Sequence, residues 1–178
     1  NYYYNQNKLD SAENFFKAAL NQDSELTSVH LNLAYLYNRR GENEKAETRF
    51  QAYLKERPED ADALFSYALL LSEMRKYEAS LDTLLRVSQM APERPRVNHN
   101  IGMMYDFMEE KEKAEEFLKK EIQVNRNLNS LSALLRFYLD NNYGEKALEL
   151  ARNILEEYPQ ATEVQQVVEQ LETRLGRN

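Results

Sequence analysis

The sequence predicts an all-α solenoid of stacked antiparallel helical hairpins, and three observations carry that expectation. A small residue returns at Ala12, Ala46, Ser80, Ala114 and Ala147, in steps of 34, 34, 34 and 33. Two other positions keep the same beat: Tyr3, Tyr37, Leu71, Tyr105 and Tyr138, and then Pro58, Pro92, Arg126 and Pro159. The composition agrees, because 178 residues contain only four glycines and four prolines, too few for a loop-rich or all-β protein. A period of this length marks a solenoid, in which each hairpin buries its apolar face against the next.

The elements follow in chain order. Residues 1–26 supply Tyr3, Ala12 and Phe16, which the register reads as the end of one helix plus a second helix. Residues 27–60 form the best-defined unit. His30 to Tyr37 is apolar at helical spacing, Gly41 sits where that helix must stop, and Ala46, Phe50, Tyr53 and Leu54 share one face of a second helix. Pro58 follows where it cannot extend the helix. Residues 61–94, 95–127 and 128–161 repeat the plan, with Ala68, Gly102 and Leu135 at the place of Ala34. The turn near Arg126 is one residue short and lacks its proline, which predicts a local change of pitch. Residues 162–178 place Val164, Val167, Val168, Leu171 and Leu175 on one face of a polar-backed capping helix. Thr162 and Gln165 have capping-box spacing there, and Gly176 is the expected stop.

Small residues let two backbones approach, and large ones such as Tyr37 and Phe50 fill the seams. This arrangement resembles the tetratricopeptide repeat, with Leu33, Ala34, Tyr37, Ala46, Phe50 and Pro58 at the places of its signature. The usual tryptophan is absent, and His30, Leu64, Asn98 and Leu131 stand in its place. The resemblance implies a right-handed superhelix whose concave wall comes from the first helix of each hairpin. The sequence begins Asn1-Tyr2-Tyr3-Tyr4, inside a helix of the register, and reads as a piece of a longer protein with an uncapped front. Self-association through that front is one expectation.

The formal net charge of −7 and a pI near 5.1 argue against nucleic acid, since phosphates would be repelled. Lys/Arg clusters are pairs set among carboxylates. No cysteine is present, which removes disulfide scaffolds and thiolate zinc sites. The apolar runs are shorter than a membrane span, so no membrane insertion is expected. The compartment stays open, with the cytoplasm slightly ahead of the periplasm.

Chemistry is sparse. His30 and His99 fall at unrelated places in different units, which gives no metal spacing. The stretch from Glu109 to Glu121 reads as a solvated strip with Glu115–Lys119 and Glu116–Lys120 ion pairs. Neither a phosphate loop nor a convergent nucleophile–base set occurs, so neither catalysis nor a cofactor is expected. The candidate binding surface is the concave wall: Leu31, Asn32 and Tyr35, then Phe65 and Leu69, then Arg96, His99, Asn100, Met103 and Phe107, and last Arg136. Aromatic residues and Met beside Asn and Arg suit a polypeptide segment. Several of them could instead pack between hairpins. Family members that hold the acidic tails of chaperones use a basic clamp on this wall; the matching places are Leu31, Tyr35, Ser66, Arg96 and Asn100, of which only Arg96 is basic. The expected function is a non-catalytic scaffold binding a protein or peptide. The alternative is the docking arm of a larger enzyme or redox protein whose catalytic domain lies upstream.

Overall fold

The computed structural model describes residues 2–24 and 26–176, with the side chains of residues 2–7 outside the description. The packing assigned to Tyr3 therefore lies outside the described residues. Among the described residues there are ten helices and no strand. Two compact units divide the chain, residues 1–92 and 93–178.

The first unit contains α1 (Tyr2–Gln22), α2 (Thr27–Arg39), α3 (Asn43–Glu56), α4 (Ala61–Glu73) and α5 (Tyr77–Met90). One expectation is corrected here. The register asks for a turn between Tyr3 and Ala12, but residues 2–22 form one uninterrupted helix. No Gly or Pro stands in that stretch to break it. Leu33, Ala34, Leu36, Tyr37, Ala46, Phe50 and Leu70 make the core, with Leu9, Ala12, Phe16 and Leu20 of α1 packed on it.

The second unit contains α6 (Val97–Phe107), α7 (Lys111–Val124), α8 (Leu128–Asp140), α9 (Gly144–Glu157) and α10 (Thr162–Arg174). Its core joins Ala114 and Leu118 of α7 to Leu131, Leu134, Leu135 and Tyr138 of α8, with Ala147, Leu148, Ala151 and Ile154 of α9. Val164 and Leu171 of α10 close it.

The recurring small residue is where the helices of a hairpin meet. Ala46, Ala114 and Ala147 are fully buried. Ser80 takes the same place, and its buried hydroxyl donates to the carbonyl of Ala68 at 2.8 Å, so the polar substitution is satisfied. In α6 the approach is so close that a Cβ on Gly102 would lie 2.9 Å from Leu118 Cγ and 3.1 Å from the Ala114 carbonyl oxygen. Leu135 stands at the place of Gly102, and the backbones of α8 and α9 approach less closely than those of α6 and α7.

The turns inside the hairpins share one device. Gly41, Arg75, Glu109 and Asn142, at corresponding places, all have positive φ, between 59° and 73°. The next residue donates its N–H to a carbonyl five positions back: Glu42 to Tyr37, Lys76 to Leu71, Glu110 to Tyr105, and Tyr143 to Tyr138. This is the Schellman ending, for which glycine is the unstrained choice. Arg75 is exposed and makes no side-chain bond to a described residue. Arg75→Gly therefore relieves left-handed strain at little cost, for an expected gain of about 0.5–1 kcal/mol. A thermal melt should rise by a few degrees, and Gly41→Arg should fall by a similar amount; no change in either would remove the strain argument.

The junction at residues 125–127 is three residues long, against four at 57–60 and 158–161, as the register expects. Asn127 caps α8, accepting from the Ser130 N–H at 3.0 Å, while Ser130 Oγ accepts from the Asn127 N–H at 3.1 Å. Arg126, in the place of the proline, pairs with Glu157. At α10 the capping-box expectation is corrected. The cap position is Ala161, which has no side-chain acceptor, so Thr162 is already helical, and Gln165 Nε2 instead donates to the Pro159 carbonyl at 2.8 Å. Gly176 does stop the helix, at φ 67°.

The Glu/Lys strip is partly a solvated face. Glu115–Lys119 and Glu116–Lys120 pair at 2.7 and 2.6 Å as expected. Glu115, however, is largely buried and also accepts from Tyr138 Oη at 2.8 Å and Lys146 Nζ at 2.7 Å. Glu13 in the first unit is held alike by Lys17, Arg40 and Tyr37 Oη, the last at 3.0 Å. The Lys17 hydrogen bond is the largest influence on Glu13 and lowers it to about 2, against opposition from burial. For Glu115 burial acts most strongly and upward, but Lys119, Lys146 and Tyr138 together overcome it and lower the carboxyl to about 2.

Candidate functional site

The proposed inner-wall residues fall into two groups, one per unit. In the first unit, Leu31 is half-buried against the core. Tyr35 is exposed, but its ring stands edge-on to Phe50 at 5.5 Å and its hydroxyl lies 3.4 Å from Ser66 Oγ. Asn32 is exposed beside them, and Phe65 and Leu69 are half-buried on α4. Leu31 and Tyr35 thus spend part of their surface on packing.

In the second unit, the first helices of successive hairpins and the last helix form a cleft of about 460 Å³. Of the candidates it brings together His99 and Met103 from α6 and Arg136 from α8. Leu135, Val164 and Val167 give it an apolar floor, and Asp106, Asn129, Ser132, Asp140 and Glu163 stand around it. From α8 the cleft takes residues 129, 132, 133, 136 and 140, together with Leu135, Phe137 and Leu139.

A smaller polar pocket of about 330 Å³ adjoins, lined by Arg96, His99, Glu121, Asn125, Asn127, Asn129 and Ser130. Arg96 precedes α6 with φ 70° and gives it no side-chain cap. The buried carboxylate of Glu121 does so from α7, accepting from the N–H groups of Arg96 at 2.7 Å and His99 at 3.3 Å. An anion at a helix start satisfies orphan donors and complements the dipole. Asn100 Nδ2 donates to the Arg96 carbonyl at 2.6 Å, and Phe107 is exposed at the end of α6; neither lines the cleft.

His99 faces both cavities. Burial pushes its imidazole below the ordinary range, Glu121 opposes the fall, and Arg96 adds to it, so the ring is neutral at pH 7. Asp106 is already engaged by Lys111 Nζ at 2.8 Å and Asn141 Nδ2 at 3.2 Å. His30, in the other unit, is a polar filler: Nε2 donates to the Ser24 carbonyl, and Nδ1 accepts from Arg49, both at 3.2 Å. No group of three His, Asp or Glu able to hold a metal occurs among the described residues. No described helix is long and apolar enough to cross a membrane.

The contribution of α10 to the cleft is what sequence reasoning missed. Treating residues 162–178 as a cap for solubility hid the register, in which Glu163 corresponds to Asn129 and Val164 to Ser130.

A tetratricopeptide repeat model matches residues 3–64, and a second matches residues 95–128, together more than half of the sequence. The chain belongs to the tetratricopeptide repeat family. Among its relatives, this tetratricopeptide protein is 28% identical over 132 residues to the type IV pilus assembly protein PilF of Pseudomonas aeruginosa, a match covering 73% of this chain and 52% of PilF. It thus spans about half the length of that curated relative. Solved structures share the fold at lower identity. A tetratricopeptide repeat protein from Parabacteroides merdae superposes with a TM-score of 0.81 at 18% identity, covering 98% of this chain and 70% of that one. MamA superposes with a TM-score of 0.78 at 19% identity, covering 89% and 94%. Tetratricopeptide proteins are generally non-catalytic, and their fold is one of protein–protein interaction.

Proposed function

We propose that this tetratricopeptide protein is a non-catalytic scaffold that binds a polypeptide segment on the face formed by the first helices of its hairpins. The cleft among α6, α8 and α10 is the observation that carries this reading. Its floor is apolar, while Arg136, Asn129 and Ser132 reach it without a hydrogen bond or ion pair to a described residue. Apolar depth with idle polar groups at the rim suits side-chain anchors and peptide amides. A place in a multi-protein assembly is the second reading, favoured by a relative whose own name is that of a pilus assembly protein.

A photo-crosslinking residue at Ser132 tests the proposal, with one at exposed Asn153 on α9 as control. The expected result is capture of a discrete protein from position 132 and not from 153. Met103→Glu should abolish that capture while the helical circular dichroism stays unchanged. Equal capture from both positions, or capture indifferent to Met103→Glu, would remove the cleft as the site.

A further inference from the structure

The charge of the cleft narrows what can enter it, an inference that rests on the proposed peptide-binding reading. Its ionisable neighbours are His99 and Asp106 on α6, Arg136 and Asp140 on α8, and Glu163 on α10. His99 is neutral at pH 7, and Asp106 is neutralised by Lys111. Two carboxylates, Asp140 and Glu163, then face one guanidinium, and none of the three has an ion-pair partner among the described residues. Even with Arg136 turned toward Asp140, one helical turn along, a negative charge stays uncompensated.

The position of Asp140 adds weight. It is the last residue of α8, where the helix dipole already presents negative charge, and no basic residue occupies that last turn. A carboxylate there works against the helix dipole. At the ends of α2, α4 and α6 the corresponding residues are Arg39, Glu73 and Phe107, so the repeat does not demand an acid. The floor beneath is apolar because Leu135 fills the place that Gly102 holds in α6.

We infer that the cleft receives a cationic segment of a partner protein, with a lysine or arginine set beside an aliphatic or aromatic anchor. The anchor rests on Leu135 and Val164, and the cation lies between Asp140 and Glu163. Charge complementarity of this kind acts mainly on selection among partners and on encounter.

Fluorescence anisotropy with two synthetic decapeptides tests it. One carries two lysines flanking a leucine–phenylalanine pair, and its twin carries glutamates instead. The lysine peptide is expected to bind the purified chain at least about tenfold tighter at low salt, equivalent to about 1.4 kcal/mol. Asp140→Asn combined with Glu163→Gln, both at exposed positions, should bring the two peptides within about twofold of each other. Equal or tighter binding of the glutamate twin, or a ratio untouched by the double substitution, overturns the charge assignment. If the glutamate twin wins while position 132 still crosslinks a partner, the peptide cleft stands and only the cationic class falls. If neither peptide binds and position 132 captures nothing, both fall. Crosslinking to a second copy of this chain overturns the partner as stated.

Discussion

Phe50→Ala lowers the stability of the folded chain by about 3–5 kcal/mol, the usual cost of emptying a buried aromatic site. Phe50 is fully buried and belongs to a three-ring stack, edge-on to Tyr35 and 5.8 Å from Tyr67. The truncation therefore opens a cavity and removes two aromatic contacts from helices on either side of α3. Phe50→Leu is the informative control. Leu84 and Leu118 hold the corresponding place and are themselves almost fully buried, so the expected loss is only about 1–1.5 kcal/mol. Urea denaturation measures the difference, and hydrogen exchange should show lost protection concentrated in α2, α3 and α4. A loss below about 1 kcal/mol for the alanine variant would mean that the stack is not the seam of this unit. Because Tyr35 leans on Phe50, the same variant should also blur whatever that tyrosine presents at the surface.

Acid is expected to destabilise this chain chiefly through Glu13 and Glu115, with Asp60, also held below its ordinary range by Tyr53, in support. Glu13 and Glu115 sit near 2 in the folded state, against an ordinary value of 4.5. The unfolded chain therefore binds their protons first as pH falls. Their contribution is complete above about 4.5 and drains away as pH drops toward 2, each group adding up to about 1.4 kcal/mol per pH unit to the slope. Glu115→Gln should be less stable than the parent at pH 7, with the gap shrinking to within about 0.5 kcal/mol at pH 2. Denaturant titrations at half-unit steps between pH 5 and 2 measure that convergence. A constant gap across the window would show that the carboxylate charge is not what stabilises the Tyr138 contact.

Much of the scaffold was legible because period and side-chain size are local properties of a sequence. The buried alanines, the short junction at 125–127 and the stop at Gly176 all follow from reading one residue type at one place. The errors have a common origin in taking the repeat too literally or too briefly. A strict register put a turn in α1, where no breaker exists. Reading α10 as a cap accounts for Val164 and Leu171 in the core but not for Glu163, Val164 and Val167 at the cleft. Among the turns inside the hairpins, the left-handed position is announced by Gly41 and favoured by Asn142, whereas Arg75 and Glu109 carry no composition signal for a positive φ. Of the candidate wall, His99, Met103 and Arg136 converge, whereas Leu31 and Tyr35 divide their surface between packing and solvent. Helical faces can be read from spacing, but the share of a side chain claimed by a neighbouring helix cannot.

The two glutamate–tyrosine clasps say something about how this chain tolerates change. Glu13 reaches Tyr37 across 24 residues, and Glu115 reaches Tyr138 across 23. The residue missing from the second interval is absorbed by the linker 125–127, leaving the tyrosine clasp and its lysine four residues on intact. Length in this architecture is thus a property of the connectors, and fit a property of the helices. A segment such as 125–127 is where this chain can gain or lose a residue while its helices keep their partners.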